Sequence, residues 1–317
     1  MAGAQSLECW ARRFAHAGRL TLNFHPDRVS RDVSTVAARL LTEGRYRSQW
    51  ITGISGGSRS AIPGAERYGF ESEFFGGAYD DVDPSSKEHP VYGALDLLFD
   101  DHGGSPRFGS STVVLLPRVR ERTTMCLGDS HMAPGDVGAF DAPWSILAGL
   151  AEQAARGQLL NRSLGTDILL QALAGTYRLG RASRDLDGYV EAQVHGGVSL
   201  ANDVEAIVLD PSFRATPVAR DLEAAAQRYG FDLKWHHGSE LHVDEFPDNF
   251  RGPMIPALAR RIARPDGLVD AYAIRVDAAR VVFEEPTQFG DPPESALQQV
   301  KYMWHTLLAH GHDAVEA

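Results

Sequence analysis

Asn202-Asp203-Val204-Glu205-Ala206-Ile207-Val208-Leu209-Asp210 carries two carboxylates, two residues apart, into an apolar run. Val204, Ile207, Val208 and Leu209 have the β-branched and aliphatic character of a buried strand. Strand side chains alternate faces, so the spacing predicts Asp203 and Glu205 on one side, roughly 6–7 Å apart. Like charges so placed repel unless a positive group visits them, which makes the pair a candidate reacting centre. A solvated strand end before a turn at Asp210-Pro211 is the alternative.

Working outward, Tyr189–His195 and Phe108–Leu116 also alternate as strands, and Leu20–Arg28 is a short extended piece ending near a proline. Tyr46–Gly53 and Arg67–Phe75 read as further short strands, and Pro90–Phe99 as a segment turning helical at its end. Residues 4–20, 29–43 (with Ser30 and Asp32 as caps), 143–180, 218–229, 254–265 and 294–309 have helical periodicity. Many short strands without regular strand–helix alternation predict an α+β fold rather than a doubly wound sheet. The divisions expected are N-terminal helices at 1–44, a core at 45–133 and 189–215, a helical insertion at 134–188 and an α-rich part at 216–317.

The 317 residues are 43% hydrophobic and 23% charged, enough to bury a large core. A net charge of −11 argues against nucleic acid or an anionic membrane as the main partner. Cys9 and Cys126 alone make no disulfide framework. No apolar stretch approaches the ~18 residues of a membrane span, and the first ten residues lack signal-peptide character, so action in a cytosol is expected.

Four separated segments suit a planar cation attached to a sugar. Tyr79 and Tyr92 offer aromatic faces, Thr52-Gly53 a close backbone approach, Arg47 a cation, and Asp203 and Glu205 carboxylates for ribose hydroxyls and a developing oxocarbenium charge. Trp235–Phe246 holds His236, His237, His242 and Asp244, which suggest a metal-dependent hydrolase or a polar loop with satisfied imidazoles. His25, His131 and His195, each in a Gly/Pro/Ser-rich context, serve equally as ligands or loop-fixing hydrogen bonders. Arg107 and Ser110 open a strand and are candidates for cofactor contact or a capped strand start.

The segments Leu20–Arg28, Tyr46–Ser55, Phe75-Gly-Gly-Ala-Tyr79, Arg107–Thr112, Gly128-Asp-Ser-His131, and Val194-His-Gly196 running into Asp203–Pro211 carry a resemblance. The chain resembles the PARP-like bacterial ADP-ribosyltransferases, closest to the effector family typified by CteC, which modifies ubiquitin on threonine. The resemblance implies a core of two packed mixed sheets, NAD as co-substrate, no metal, and ubiquitin as the acceptor in a host cytosol reached by secretion. It places Glu205 as the catalytic glutamate with Asp203 beside it, Tyr79 and Tyr92 as ring-holding tyrosines, and Thr52-Gly53 where that class has His-Gly. Arg47 is similar to the arginine of the toxin-like class, and Ser110 joins the cofactor-binding set. A non-catalytic ubiquitin-binding module would keep the same fold.

Overall fold

The computed structural model describes residues 2–29, 34–52, 66–83, 86, 89–179, 184–275 and 293–314. An eight-stranded sheet organises the chain. Its strands are β1 (Arg19–Phe24), β3 (Val91–Asp96), β4 (Ser111–Leu115), β5 (Thr123–Leu127), β6 (Val137–Ala139), β7 (Val190–Val194), β9 (Val204–Leu209) and β10 (Asp232–Trp235). Their order is β10-β9-β4-β1-β3-β7-β5-β6. Neighbours run antiparallel except β9 and β10, which are parallel. Two two-stranded ribbons stand apart, β2 (Arg45–Tyr46) with β8 (Val198–Ser199) and β11 (Glu240–His242) with β12 (Leu268–Asp270). The fold is α+β. Its sheet is continuous, with β1 and β3 joined through the pairs Arg19–Asp96, Leu20–Leu95 and Thr21–Ala94. β1, N-terminal to residue 45, is thus interior to the sheet, and β10 extends the sheet into the region beyond residue 216.

Alternation divides the sheet into two chemically distinct faces. Leu20, Leu22 and Phe24 share one side with Leu95, Val113, Met125, Val190, Ala192, Val194 and Ile207, all buried. Helix α5 (Trp144–Ala155) packs on β5 and β6 and against α6 (Thr166–Leu173). Burying a Leu or Val side chain here stabilises the fold by about 1.5–3 kcal/mol. The other face is polar. Thr21 pairs with Ala94, which pairs with Glu191, which pairs with Cys126. One step along, Tyr92, Gln193 and Thr124 form a second cross-strand row.

Segment 99–110 crosses this polar face. Asn23 Nδ2 donates to the His102 and Gly109 carbonyls and its Oδ1 accepts from Ser105 N, while Thr21 Oγ1 accepts from Gly104 N. A Cβ at Gly109 would lie 2.2 Å from the Phe24 backbone, so only glycine permits the approach.

Helices form where caps and periodicity agree. In α2 (Val36–Glu43), Thr35 accepts from Ala38 N and Gly44 closes at φ 65. In α8 (Pro217–Tyr229), Thr216 caps, Pro217 opens, Gly230 closes at φ 80, and Val218, Leu222 and Ala225 are buried. Two segments expected as strands are helical. Past Tyr46 the chain turns into α3 (Gln49–Thr52), because Trp50 buries its ring and donates Nε1–H to Glu71 Oε2 at 2.8 Å. Arg67–Phe75 lies mostly in α4 (Glu66–Phe74), where Phe70 and Phe74, one helical turn apart, stack at 5.9 Å. Conversely, Pro90–Phe99 holds the strand β3. Ser30, Asp32 and the run Gly53–Gly57 lie outside the described residues.

Candidate functional site

β7 presents Glu191 and Gln193 to the polar face, His195 follows it directly, and a chain of hydrogen bonds links the three. Gln193 Nε2 donates to Glu191 Oε1 at 2.9 Å, and Thr124 Oγ1 donates to Gln193 Oε1 at 3.0 Å. Thr124 also bonds His195 Nε2 at 2.9 Å, and Tyr79 OH shares a 2.5 Å bond with His195 Nδ1. Ser130 N approaches Glu191 Oε2 at 3.4 Å, and the Cys126 thiol lies 3.9 Å from Oε1. Burial pushes the Glu191 carboxyl up to about 7, with the Ser130 and Gln193 bonds opposing and Asp129 adding to the rise. Burial likewise raises Cys126 and, together with Arg122, lowers His195, which is therefore a neutral imidazole near pH 7.

Aromatic rings wall this stripe. Tyr79 stacks on His195 (6.0 Å, 5°) and on His89 (5.3 Å, 26°), and Phe75 meets both Tyr79 and His195 edge-on. His89 continues to Trp50 at 5.2 Å. A second buried carboxylate, Glu71, accepts from Tyr92 OH at 2.9 Å as well as from Trp50. Two buried glutamates beneath stacked rings can hold a flat cation: the ring faces attract it and the carboxylates balance it.

The opposite end is cationic. Arg107 and Arg251 act on both Lys301 and His305, and Arg28 adds to the field on Lys301. Burial first, then these charges, lower Lys301 and take His305 down to about 3. Burial pulls Arg28 down to about 9, with Arg275 contributing. Asp27 is pushed up to about 7 by burial, against the pull of Arg275 at 3.8 Å. Buried atoms here without a hydrogen-bond partner among the described residues include Arg107 Nε, Arg251 Nε and Ser110 Oγ. Unmade bonds at buried groups cost about 1–3 kcal/mol each. Arg107 already pairs with Asp187, and the remaining positive charge here can attract an anion. Asp129 joins the two ends, since its charge acts on Glu191, Tyr189 and Lys301 alike.

His102, Asp210 and His236 form a further buried group whose potential ligand atoms lie within 4.8 Å of one another. His236 Nε2 bonds the Ser110 carbonyl and its Nδ1 accepts from Gly238 N, whereas His102 Nδ1 and Asp210 Oδ2 have no hydrogen-bond partner among the described residues. Burial lowers His102 and raises Asp210.

The expected residues separate. Asp203 is the last residue of a one-turn helix, α7 (Leu200–Asp203), so the strand begins after it and it does not share a strand face with Glu205. Asp203 Oδ2 accepts from Ser199 N and pairs with Arg122 Nη2 at 2.9 Å. Arg122 also donates to the His195 and Gly197 carbonyls, which places Asp203 at the margin of the site. Glu205 is exposed and lies where the β4–β9 register shifts, between the pairs Val114–Ala206 and Leu115–Val204. Its exposure leaves it outside the buried hydrogen-bonded network of Glu191 and Gln193. Tyr79 and Tyr92 are both in the site. Arg47 pairs with Glu43 one turn back. Ser110 belongs to the cationic end. Thr52 ends α3 with its side chain outside the described residues, as is Gly53. Of the histidine-rich segment, His236 joins the buried group with His102 and Asp210. His237 bonds Asp101 and His242 caps a short turn with Asp244 and Glu245, so that set is not assembled.

A family model described as "Protein of unknown function (DUF3626)" matches residues 19–310, from β1 to the C-terminal helix Pro293–His310. The chain belongs to the DUF3626 family. It is similar to the Gene 2 protein of Mycobacterium phage L5, 28% identical over 174 residues, 53% of this chain. It is also similar to the Gene 2 protein of Mycobacterium phage D29, 31% identical over 173 residues, 54% of this chain. Each match covers 59% of the relative, so the chain spans under two thirds of the length of these curated relatives.

In this DUF3626 chain, sequence reasoning passed over Glu191, Gln193 and Glu71. The signal was present in Val190–His195, where apolar and polar residues alternate strictly. Such alternation ordinarily marks a strand with one wet face. Here both faces are covered, and the polar members become a buried network.

Proposed function

We propose that this chain is an NAD-dependent mono-ADP-ribosyltransferase that modifies a protein hydroxyl, with a threonine of ubiquitin as the acceptor supplied by the family resemblance. The observation that carries the reading is the pairing, along one sheet face, of an aromatic-walled carboxylate site with a cationic end. That combination matches the two halves of NAD, a cationic ring on ribose and a diphosphate. Glu191 takes the role expected of Glu205. The cation of the bound ring favours the ionised form of Glu191, and that carboxylate then stabilises the charge on ribose as the bond to nicotinamide breaks. Tyr79, Tyr92 and His89 hold the ring; Arg28, Arg107, Arg251 and Lys301 meet the phosphates. The acceptor oxygen bonds to the ribose carbon, and its proton passes by way of the Tyr79 hydroxyl to His195 Nδ1. Action in a host cytosol, with ubiquitination blocked by the modification, follows from the same resemblance.

The test is incubation with NAD and ubiquitin, reading free nicotinamide and intact protein mass. Glu191→Gln is expected to lose at least a hundredfold in both readouts while Glu205→Ala keeps them. Equal activity in Glu191→Gln and the parent protein would end the proposal.

A second reading rests on His102, Asp210 and His236. An ion held by His102 Nδ1 and Asp210 Oδ2 would make the chain a metal-dependent hydrolase, replacing the histidine set first expected. Stoichiometric metal after purification, with activity lost to a chelator, would favour it over transfer from NAD.

A further inference from the structure

His102, Asp210 and His236 come together from three separate parts of the chain. His102 lies in segment 99–110, Asp210 directly follows β9, and His236 directly follows β10. They are 1%, 1% and 9% exposed, and the two imidazole centroids are 4.1 Å apart.

Each of the three is held from behind. His236 Nε2 is 2.9 Å from the Ser110 carbonyl, which can only accept, so Nε2 carries the proton and Nδ1 the lone pair. Ser239 Oγ lies 3.2 Å from His102 Nε2 and accepts from it in the tautomer that leaves the Nδ1 lone pair free. Asp210 Oδ1 accepts from Ser212 N at 2.9 Å and from Ser212 Oγ at 2.6 Å, leaving Oδ2 as its open atom. His102 Nδ1 and Asp210 Oδ2 are therefore buried lone-pair atoms with no hydrogen bond among the described residues. The third, His236 Nδ1, accepts from Gly238 N at 2.9 Å, a bond that ligation would replace. Anchoring the far atom of each ligand is how a protein orients imidazole and carboxylate on a metal ion.

We propose that His102 Nδ1, Asp210 Oδ2 and His236 Nδ1 bind one zinc ion whose role is structural. Two imidazoles and a carboxylate suit Zn²⁺, whereas Mg²⁺ and Ca²⁺ prefer sets of oxygen ligands. Three protein ligands leave a fourth tetrahedral position, which a water would fill. The enclosure of the ligands sets this ion apart from one that must receive a substrate. Strands β4, β1 and β3 also separate β9 from β7, the strand that carries Glu191. The ion would staple segment 99–110 to the ends of β9 and β10. That segment carries Ser105, whose N–H bonds Asn23, together with Arg107 and Ser110 of the cationic end. The inference is independent of the transferase reading and shares with the hydrolase reading only the presence of an ion.

The experiment strips the purified full chain with a chelator, removes the chelator, and titrates with Zn²⁺ or Co²⁺. One equivalent should bind, with visible absorption bands from bound Co²⁺. The thermal midpoint should rise by about 5 °C at a hundredfold excess of Zn²⁺ over Kd. Amide hydrogen exchange across residues 99–110 should slow on adding Zn²⁺, which locates the ion in the parent chain without any substitution. His102→Ala and the isosteric Asp210→Asn should each weaken binding by about a hundredfold. His237→Ala, at an exposed side chain that bonds Asp101, should leave binding unchanged. Absence of Zn²⁺ binding by the parent chain overturns the proposal, as does parental affinity in both His102→Ala and Asp210→Asn. Unchanged exchange across 99–110 overturns it too. A hydrolytic activity that needs the ion, with the thermal midpoint unmoved by it, makes the ion catalytic and overturns the structural role. Zinc binding by a chain that transfers no ADP-ribose supports the site, the transferase reading alone being lost.

Discussion

The two faces of the eight-stranded sheet are built from the same strands and buried to similar degrees, yet they differ in chemistry. Leu22, Leu95, Met125, Val190 and Val194 fill one face; Thr21, Asn23, Thr124, Glu191 and Gln193 fill the other. An apolar face gains by leaving water, whereas a polar face regains on burial only what its internal hydrogen bonds return. The first is what folding selects. The second is a sheet face that folding alone would not maintain, and it holds the buried Glu191 carboxyl. Stability and chemistry are thus divided between the two sides of one layer.

Substitutions on each face should separate these roles. Leu22→Ala, on the apolar side, is expected to cost about 3 kcal/mol in chemical denaturation while activity per folded molecule is retained. A comparable loss from Thr124→Val would blur the division. The polar face should dominate the pH profile. The carboxyl of Glu191 is raised to about 7 in the folded chain, so its stabilising proton is fully bound below the unfolded value near 4.5 and is lost as pH rises through 7. Stability should therefore fall by up to about 3 kcal/mol between pH 4.5 and 8, and Glu191→Gln should flatten that slope. Asp27, also raised to about 7, adds a parallel fall that Asp27→Asn removes separately. Glu71→Gln leaves one acceptor oxygen for the two donors Trp50 Nε1 and Tyr92 OH, and should cost about 1–3 kcal/mol. Glu205→Ala, at an exposed position, should shift stability by no more than about 0.5 kcal/mol. A large effect there would return Glu205 to the site.

Much of the fold was legible because apolar periodicity reports burial directly. β4, β7 and β9, and the capped helix α8, follow from residues such as Val113, Val190, Ile207 and Leu222 at the expected spacings. The strand readings of Tyr46–Gly53 and Arg67–Phe75 failed because their aromatic residues satisfy either period, and the stacking of Phe70 on Phe74 decided for helix. Tyr79 and Tyr92 were recognisable as ring-holding candidates because aromatic type alone suggests that role. The carboxylate was misplaced for a different reason. Asp203-Val-Glu205 and Glu191-Ala-Gln193 are equivalent patterns in one dimension, and only the cover provided by neighbouring elements makes one dry and the other wet. The cationic end drew Arg28, Arg107, Arg251 and Lys301 from four distant stretches, and no local pattern connects them.

The position of β1 has a kinetic consequence. This interior strand is among the first segments in the chain, but its partners are Ala94–Asp96 and Ser111–Val114, some seventy or more residues later. β7 and β9 then pair with β3 and β4 across similar gaps, and Trp304 closes on the Pro106 carbonyl. Closing loops of this length before any sheet contact is gained slows the search. During synthesis Leu20, Leu22 and Phe24 must wait uncovered, so chaperone occupancy of the nascent N-terminal segment should persist until β4 has emerged.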